Sequence, residues 1–284
     1  MSIFTTISKM IANVASTSRV PVIGAFAVAM ALSAPAAKAD GFWQDVQKRG
    51  TLRCAAALAP PFVMKDPKTG EYGGAYLDLC KQFADVLGVK VEFVDTNWDN
   101  IVAGLQAGKW DMSPALNRTP ARALAINFSS IAGYDEMNFA YLAANPKVQN
   151  PTADLNTFDN PNIRVGVMSG SAQDKKASGR LTKATIVRLP EAAGLNLALL
   201  SGRIDVMAQD SATNMLFQLA NPDKVKILEA NPALMKQGIS YGLPATVSQH
   251  DLDVLNIFLE EKVSLGEVDA LLKHYTEVML AGTK

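Results

Sequence analysis

One eight-residue pattern occurs twice in this chain: Leu105-Gln106-Ala107-Gly108-Lys109-Trp110-Asp111-Met112 and Leu199-Leu200-Ser201-Gly202-Arg203-Ile204-Asp205-Val206, both of the form L-x-x-G-[KR]-x-D-apolar. Each copy reads as the end of a helix, a glycine in the left-handed conformation that closes it, and the start of a strand. A helix-to-strand turn used twice constrains the chain to two α/β units. The strands that follow are expected to end at 115 and about 209, which places 115–122 and 209–214 at carboxyl ends of parallel strands, where open α/β sheets bind ligands. Two such edges facing each other make a cleft.

The rest of the pattern agrees with an α/β class. Strand-like and helical periods alternate over 51–58, 76–87, 90–94, 98–107, 111–115 and 120–125, and the order resumes over 163–168, 186–189, 204–208 and 225–228. Between the two sets, 145–161 is rich in Asn, Pro, Thr and Asp and reads as a loop.

Residues 1–39 are set apart from the fold. Lys9 and Arg19 lie in a basic leader without acids, 20–34 is an apolar run bracketed by Pro21 and Pro35, and Ala37-Lys38-Ala39 offers small residues for cleavage after Ala39. That is the form of a secretory signal peptide, and it predicts a periplasmic protein. The apolar run is short of the ~20 residues that cross a bilayer. Loss of Lys9, Arg19 and Lys38 from a total of 27 basic residues leaves a slightly acidic chain, since all 27 acids follow residue 39. Such a balance gives no electrostatic footprint for nucleic acid or an anionic membrane. The two cysteines, Cys54 and Cys80, are compatible with a disulfide or with two thiols packed as small hydrophobes.

The segment Asn117-Arg118-Thr119-Pro120-Ala121-Arg122 carries the most chemistry. Thr119 suits an N-cap and Pro120 the first helical position, where its fixed φ fits and its missing N–H costs nothing. Arg122 then falls at the third position. Free N–H groups favour an anion there, and a guanidinium adds a planar fork for both oxygens of a carboxylate. A surface helix start whose arginine pairs with a nearby acid is the bland alternative.

Taken together, Gly50-Thr51-Leu52-Arg53, Pro60-Pro61-Phe62, Gly73-Gly74-Ala75-Tyr76-Leu77-Asp78-Leu79, Trp98 through Gly108, Thr119-Pro120-Ala121-Arg122 and Phe128-Ser129 resemble, in order and spacing, the family 3 periplasmic solute-binding proteins. The segments 163–174, 202–210 and Tyr241-Gly242 continue the resemblance, which covers about 50–275. It implies a type II periplasmic binding fold: two α/β lobes, two hinge strands at 137–144 and 238–244, and a ligand cleft between the lobes. The implied domains are a signal peptide at 1–39, lobe 1 at 40–140 plus 241–284, and lobe 2 at 141–240. The implied function is capture of a small amino acid or related carboxylate for an inner-membrane ABC permease, by a monomer without cofactor or metal.

The resemblance also assigns residues. Arg122, helped by Thr119 and Asn117, takes the ligand α-carboxylate, and backbone at Pro114 and Ala115 receives the ammonium. From lobe 2, backbone N–H groups of Met168, Ser169, Gly170, Ser171 and Ala172 face the carboxylate, Asp210 pairs with the ammonium, and Gln209 lies beside it. Ser171-Ala172-Gln173-Asp174 reads as a capping box. Trp98, with Leu58 and Met168, walls a pocket that suits a neutral or apolar side chain.

The chain departs from the family at Cys54 through Ala59, at Tyr76, and at Ser130-Ile131. Two rivals follow. One is an accessory protein of the same fold associated with a quinoprotein dehydrogenase. The other is an enzyme similar to periplasmic cyclohexadienyl dehydratases, although His250 and His274 both lie far along the chain from Arg122 and no nucleophilic set assembles around it.

Overall fold

The computed structural model describes residues 41–282, so the expected leader 1–39 and its cleavage site lie outside the described residues. The chain begins with α1 (Phe42–Arg49), β1 (Thr51–Ala57), a short hairpin of β2 (Met64–Lys65) and β3 (Tyr72–Gly73), α2 (Ala75–Leu87) and β4 (Lys90–Thr96). It continues through α3 (Ile101–Gln106), β5 (Ser113–Asn117), α4 (Pro120–Ala123) and β6 (Ile126–Phe128). Strands β1 and β4 pair in parallel, from Thr51 opposite Lys90 to Ala57 opposite Thr96, and Cys54 bridges Met112 on the other side. Helix α2 covers them because Leu79, Cys80, Phe83, Ala84 and Leu87 recur on one face and are buried.

The second unit follows from β7 (Gly133–Leu142): β8 (Arg164–Met168), α5 (Ala172–Arg180), β9 (Thr185–Leu189), α6 (Ala192–Leu200), β10 (Val206–Asp210), α7 (Ser211–Ala220) and β11 (Val225–Leu228). The chain then returns along β12 (Lys236–Pro244) into α8 (Gln249–Ser264) and α9 (Glu267–Gly282). Strands β10, β8 and β9 are parallel neighbours. Their core is formed by Phe139, Phe158, Val165, Val167, Val206 and Ala208. Helices α8 and α9 pack on the first unit, where Phe258 meets the Phe83 ring at 5.2 Å and the Tyr275 hydroxyl donates to Asp78 at 2.6 Å.

Strands β7 and β12 join the two units. Residues 133–136 of β7 lie antiparallel to 236–239 of β12, and from Met137 onward β7 pairs with β10 and then β11. Beyond Ile239, β12 pairs with β5 and β6 of the first unit. Two strands thus cross between the lobes, which is the expected hinge arrangement.

The repeated octapeptide has a structural reason. Gly108 and Gly202 take φ of 66° and 67°, the left-handed turn that favours glycine. Asp111 then accepts from the Arg53 backbone N–H at 2.8 Å and from its guanidinium at 2.8 Å, and Asp205 accepts from the Arg164 backbone N–H at 2.9 Å and from its guanidinium at 2.9 Å. Each aspartate therefore clips the start of a neighbouring strand, β1 or β8. Because Asp111 and Asp205 serve as clips, β5 and β10 begin two residues later than the expected 111 and 204, at Ser113 and Val206. The strand ends move to Asn117 and Asp210, and Pro114 and Ala115 lie inside β5. Cys54 and Cys80 are buried free thiols, the packed alternative of the two.

Burial pushes the Asp205 carboxyl up, but the Arg164 hydrogen bonds outweigh it and hold the group below its ordinary value. Asp205→Asn is expected to lower stability at neutral pH by about 2 kcal/mol, a moderate figure because the Arg164 side chain is 37% exposed and partly screened. A lowered carboxyl contributes fully above its unfolded value of ~4 and loses that contribution as pH falls through the folded value. Urea titrations of wild type and variant should therefore converge in acid. A difference that stays constant down to about pH 2 would contradict a charged clip.

Candidate functional site

The strand ends converge on a narrow cleft lined by Ala59, Phe62, Trp98, Ala115 and Asn117 from the first lobe and by Met168, Ser171, Gln173 and Asp210 from the second. Asp135 of β7 and Ile239 of β12 form its back. Of the expected site residues, Trp98, Ala115, Asn117, Met168, Ser171 and Asp210 border this space.

Arg122 is positioned as its sequence implies. The Thr119 hydroxyl accepts from the Arg122 N–H at 3.2 Å, with Thr119 extended at φ −121° and Pro120 at the first helical position. The guanidinium is buried behind Asn117, donating from Nη1 to the Asn117 carbonyl at 3.1 Å and from Nη2 across the cleft to the Gly170 carbonyl at 3.5 Å. Burial pulls its pKa down to about 10, still charged at neutral pH. Among the described residues no carboxylate forms an ion pair with it.

The opposite sign lies across the cleft. Asp210 ends β10 and caps α7, its Oδ1 accepting from the Thr213 N–H at 2.8 Å, while burial pushes its carboxyl up to about 6. Asp135 Oδ2 accepts from Asn117 Nδ2 at 2.8 Å and from Gln173 Nε2 at 2.9 Å, one donor from each lobe. Burial, and then the charge of Asp210, raise the Asp135 carboxyl well above the usual range, against the two amide donors that favour its ionised form.

Several expected residues sit elsewhere. Pro114 is buried within β5, Ala172 is buried in the first turn of α5, and Ser169 and Gly170 are half-buried on the turn leading to it. Gln209 is fully buried in β10 with its amide on the Met207 sulfur at 3.1 Å. Their side chains do not line the cleft, because alternation along a strand turns every second one away, and what the β8–α5 turn presents is backbone, the part expected of Pro114 and of 168–172. Leu58 contributes its carbonyl, which accepts from the Trp98 indole at 3.3 Å, and Ala59 and Phe62 supply the wall in its place. The capping box is half formed: Ser171 accepts from the Asp174 N–H at 3.0 Å, but Asp174 reaches the Gly170 N–H and Arg188.

Phe62, Asp135, Gln173 and Ile239 were not singled out from the sequence as site residues. Asp135 stands next to Glu136 near a strand start, where nothing local tells the two acids apart; Glu136 pairs with Lys236 and Asp135 turns to the cleft. One backbone signal was invisible beforehand. Ala115 takes φ of 56° inside β5, opposite a register shift in β12, and such strain in a non-glycine residue gathers at ligand sites.

The lobes touch across this cleft. The Thr213 hydroxyl donates to the Pro60 carbonyl at 2.6 Å, and Gly170, at φ 73°, lies so near Asp99 that a β-carbon would meet the Asp99 backbone nitrogen at 2.6 Å.

The chain belongs to the bacterial extracellular solute-binding proteins, family 3, which it matches over residues 52–278. It is 24% identical over 229 residues to the probable histidine-binding protein of Campylobacter jejuni subsp. jejuni, covering 79% of this chain and 85% of that protein. It is 27% identical over 158 residues to the L-arginine-binding protein of Pseudomonas aeruginosa, covering 55% and 58%. Among solved structures, the ancestral amino acid-binding protein AncCDT-1, a precursor of cyclohexadienyl dehydratase, superimposes with a TM-score of 0.74 at 28% identity, covering 84% of this chain and all (100%) of that one. The fold is the type II periplasmic binding fold, and the chain is a substrate-binding protein of the amino-acid ABC importer type.

Closure makes Gly170 testable. Gly170→Ala adds a side chain in a strained φ against the Asp99 backbone, so the lobes are held apart and solute affinity falls at least about tenfold, ~1.4 kcal/mol. Small-angle scattering should then show no contraction on addition of solute. A variant that contracts and binds like the wild type would show that this contact does not govern closure.

Proposed function

We propose that the protein captures an α-amino acid in the periplasm and presents it, lobes closed, to an inner-membrane ABC permease. The observation that carries this reading is a pair of buried charges of opposite sign on facing lobes, Arg122 and Asp210, neither of which has an ion-pair partner among the described residues. A buried charge left uncompensated costs several kcal/mol, so the site favours a solute that carries both complements. A zwitterion does. Its carboxylate takes the Arg122 fork, displacing the long 3.5 Å contact to Gly170, with the Ala172 N–H assisting from the start of α5, since the amides of Ser169, Gly170 and Ser171 already donate to Leu189, Asp174 and Met168. Its ammonium takes Asp210 and backbone at Pro114 and the strained Ala115.

Because that solute bonds both lobes, it favours the closed state by its differential affinity, and closure is the signal the permease reads. Lobe 1 then comprises 40–136 plus 240–284 and lobe 2 comprises 137–239, a boundary four residues earlier on β7 than the expected 140, because 137–140 pair with β10. The leader 1–39 directs export with cleavage after Ala39. The receptor works as a monomer, without cofactor, and performs no chemistry of its own. One observation favours a second reading, a dehydratase: Asp135, a buried acid with a raised pKa in the cleft, has the character of a general acid. Turnover of prephenate or arogenate at ordinary enzyme rates would establish that reading in place of transport.

Arg122→Ala tests the main reading by calorimetry. It should cost amino-acid binding at least about 2 kcal/mol, roughly thirtyfold, because the solute carboxylate is left unpaired in a dry site. Unfolding without solute should occur at the same or a higher temperature, since a desolvated cation has been removed. Arg122→Lys should recover only part of the affinity. Wild-type affinity in the alanine variant would overturn the carboxylate clamp.

A further inference from the structure

The charges around the cleft do not balance for a simple zwitterion. Arg122 supplies one positive group, while Asp135 and Asp210 supply two carboxylates, each 5% exposed or less and outside every ion pair among the described residues. Lys236, which faces Glu136 across the hinge strands, is committed to that neighbour. Asp135 uses only Oδ2 for its two amide donors, Asn117 and Gln173, and no hydrogen bond to Oδ1 occurs among the described residues. The same space is walled by Phe62 and Trp98, whose ring faces attract cations.

Resting on the amino-acid reading above, we propose that Asp135 is a specificity residue that receives a second positive group, so that the preferred solute is an amino acid with a cationic side chain. This departs from the neutral or apolar side chain that the wall of Trp98 and Met168 suggested from sequence. With Arg122 on the carboxylate and Asp210 on the α-ammonium, a side-chain cation reaches Asp135 at the back of the cleft and every charge is answered. A neutral amino acid leaves the two acids facing each other in a low-dielectric space, where one of them must keep a proton. The bland alternative is that Asp135 only ties the lobes together, as the acceptor between Asn117 and Gln173.

Calorimetry on the full chain separates these, using L-arginine against L-citrulline and L-lysine against L-norleucine, pairs of similar shape that differ in charge. The wild type should bind the cationic member of at least one pair tenfold or more tightly than its neutral partner. Asp135→Asn, which keeps the side-chain shape, should remove at least tenfold of that cationic affinity and leave the neutral partner within about threefold or improve it. The wild-type ratio requires no variant and stands even if Asp135→Asn fails to fold. Equal wild-type affinity within both pairs, or equal weakening of both members by Asp135→Asn, overturns the role of Asp135 while leaving an amino-acid receptor. Binding of none of the natural amino acids would instead overturn both readings.

Discussion

Asp111 and Asp205 each take a backbone N–H and a guanidinium from one arginine, Arg53 or Arg164, at the first residues of a neighbouring strand. This clip sets where β5 and β10 begin, and therefore where they end. Five residues of strand on each side deliver Asn117 and Asp210 to the cleft, and the helices that follow, α4 and α7, start at its rim. The internal repeat is thus a positioning device used once per lobe, and its aspartates are structural. Glycines at φ 66° and 67° make the turn before each clip tight enough for the strand to follow at once.

What the clips deliver is a place where the protein tolerates unanswered charge. Arg122 is satisfied by carbonyls alone, and Asp210 by a helix N-terminus that it would cap in any case. Arg122 loses pKa to burial, while the two acids gain it. Each of these shifts is free energy spent holding a charge away from water, and a solute of complementary charge recovers it on binding. The hinge strands let the two lobes bring the opposite signs to one cleft, and a solute that bonds both favours the closed state.

The lobes, the repeat, the break at 145–161 and the helix start at Thr119 were legible in the sequence because each rests on local chemistry: a period, a left-handed glycine, an N-cap with proline after it. Arg122 and Asp210 were legible as chemistry-bearing positions at strand ends. The two-residue offset of β5 and β10 was not, since the clip depends on an arginine far away along the chain. Asp135 was hidden for a similar reason. Two acids stand side by side there, Glu136 pairs with Lys236, and only the crossing of β7 between lobes turns Asp135 inward. That the Gln209 side chain packs on Met207 rather than beside Asp210 was not legible, because order along the chain does not say which side of a strand faces a cleft.

Solute recognition rests on what touches Arg122 in the filled cleft. A crystal structure with the tightest-binding amino acid tests this most directly. The expected result is a solute carboxylate within ~3.2 Å of two Arg122 nitrogens and its amino group at the same range from Asp210, with the lobes closed around both. A solute seated against Trp98 and Phe62, with Arg122 donating only to the Asn117 and Gly170 carbonyls, would contradict it.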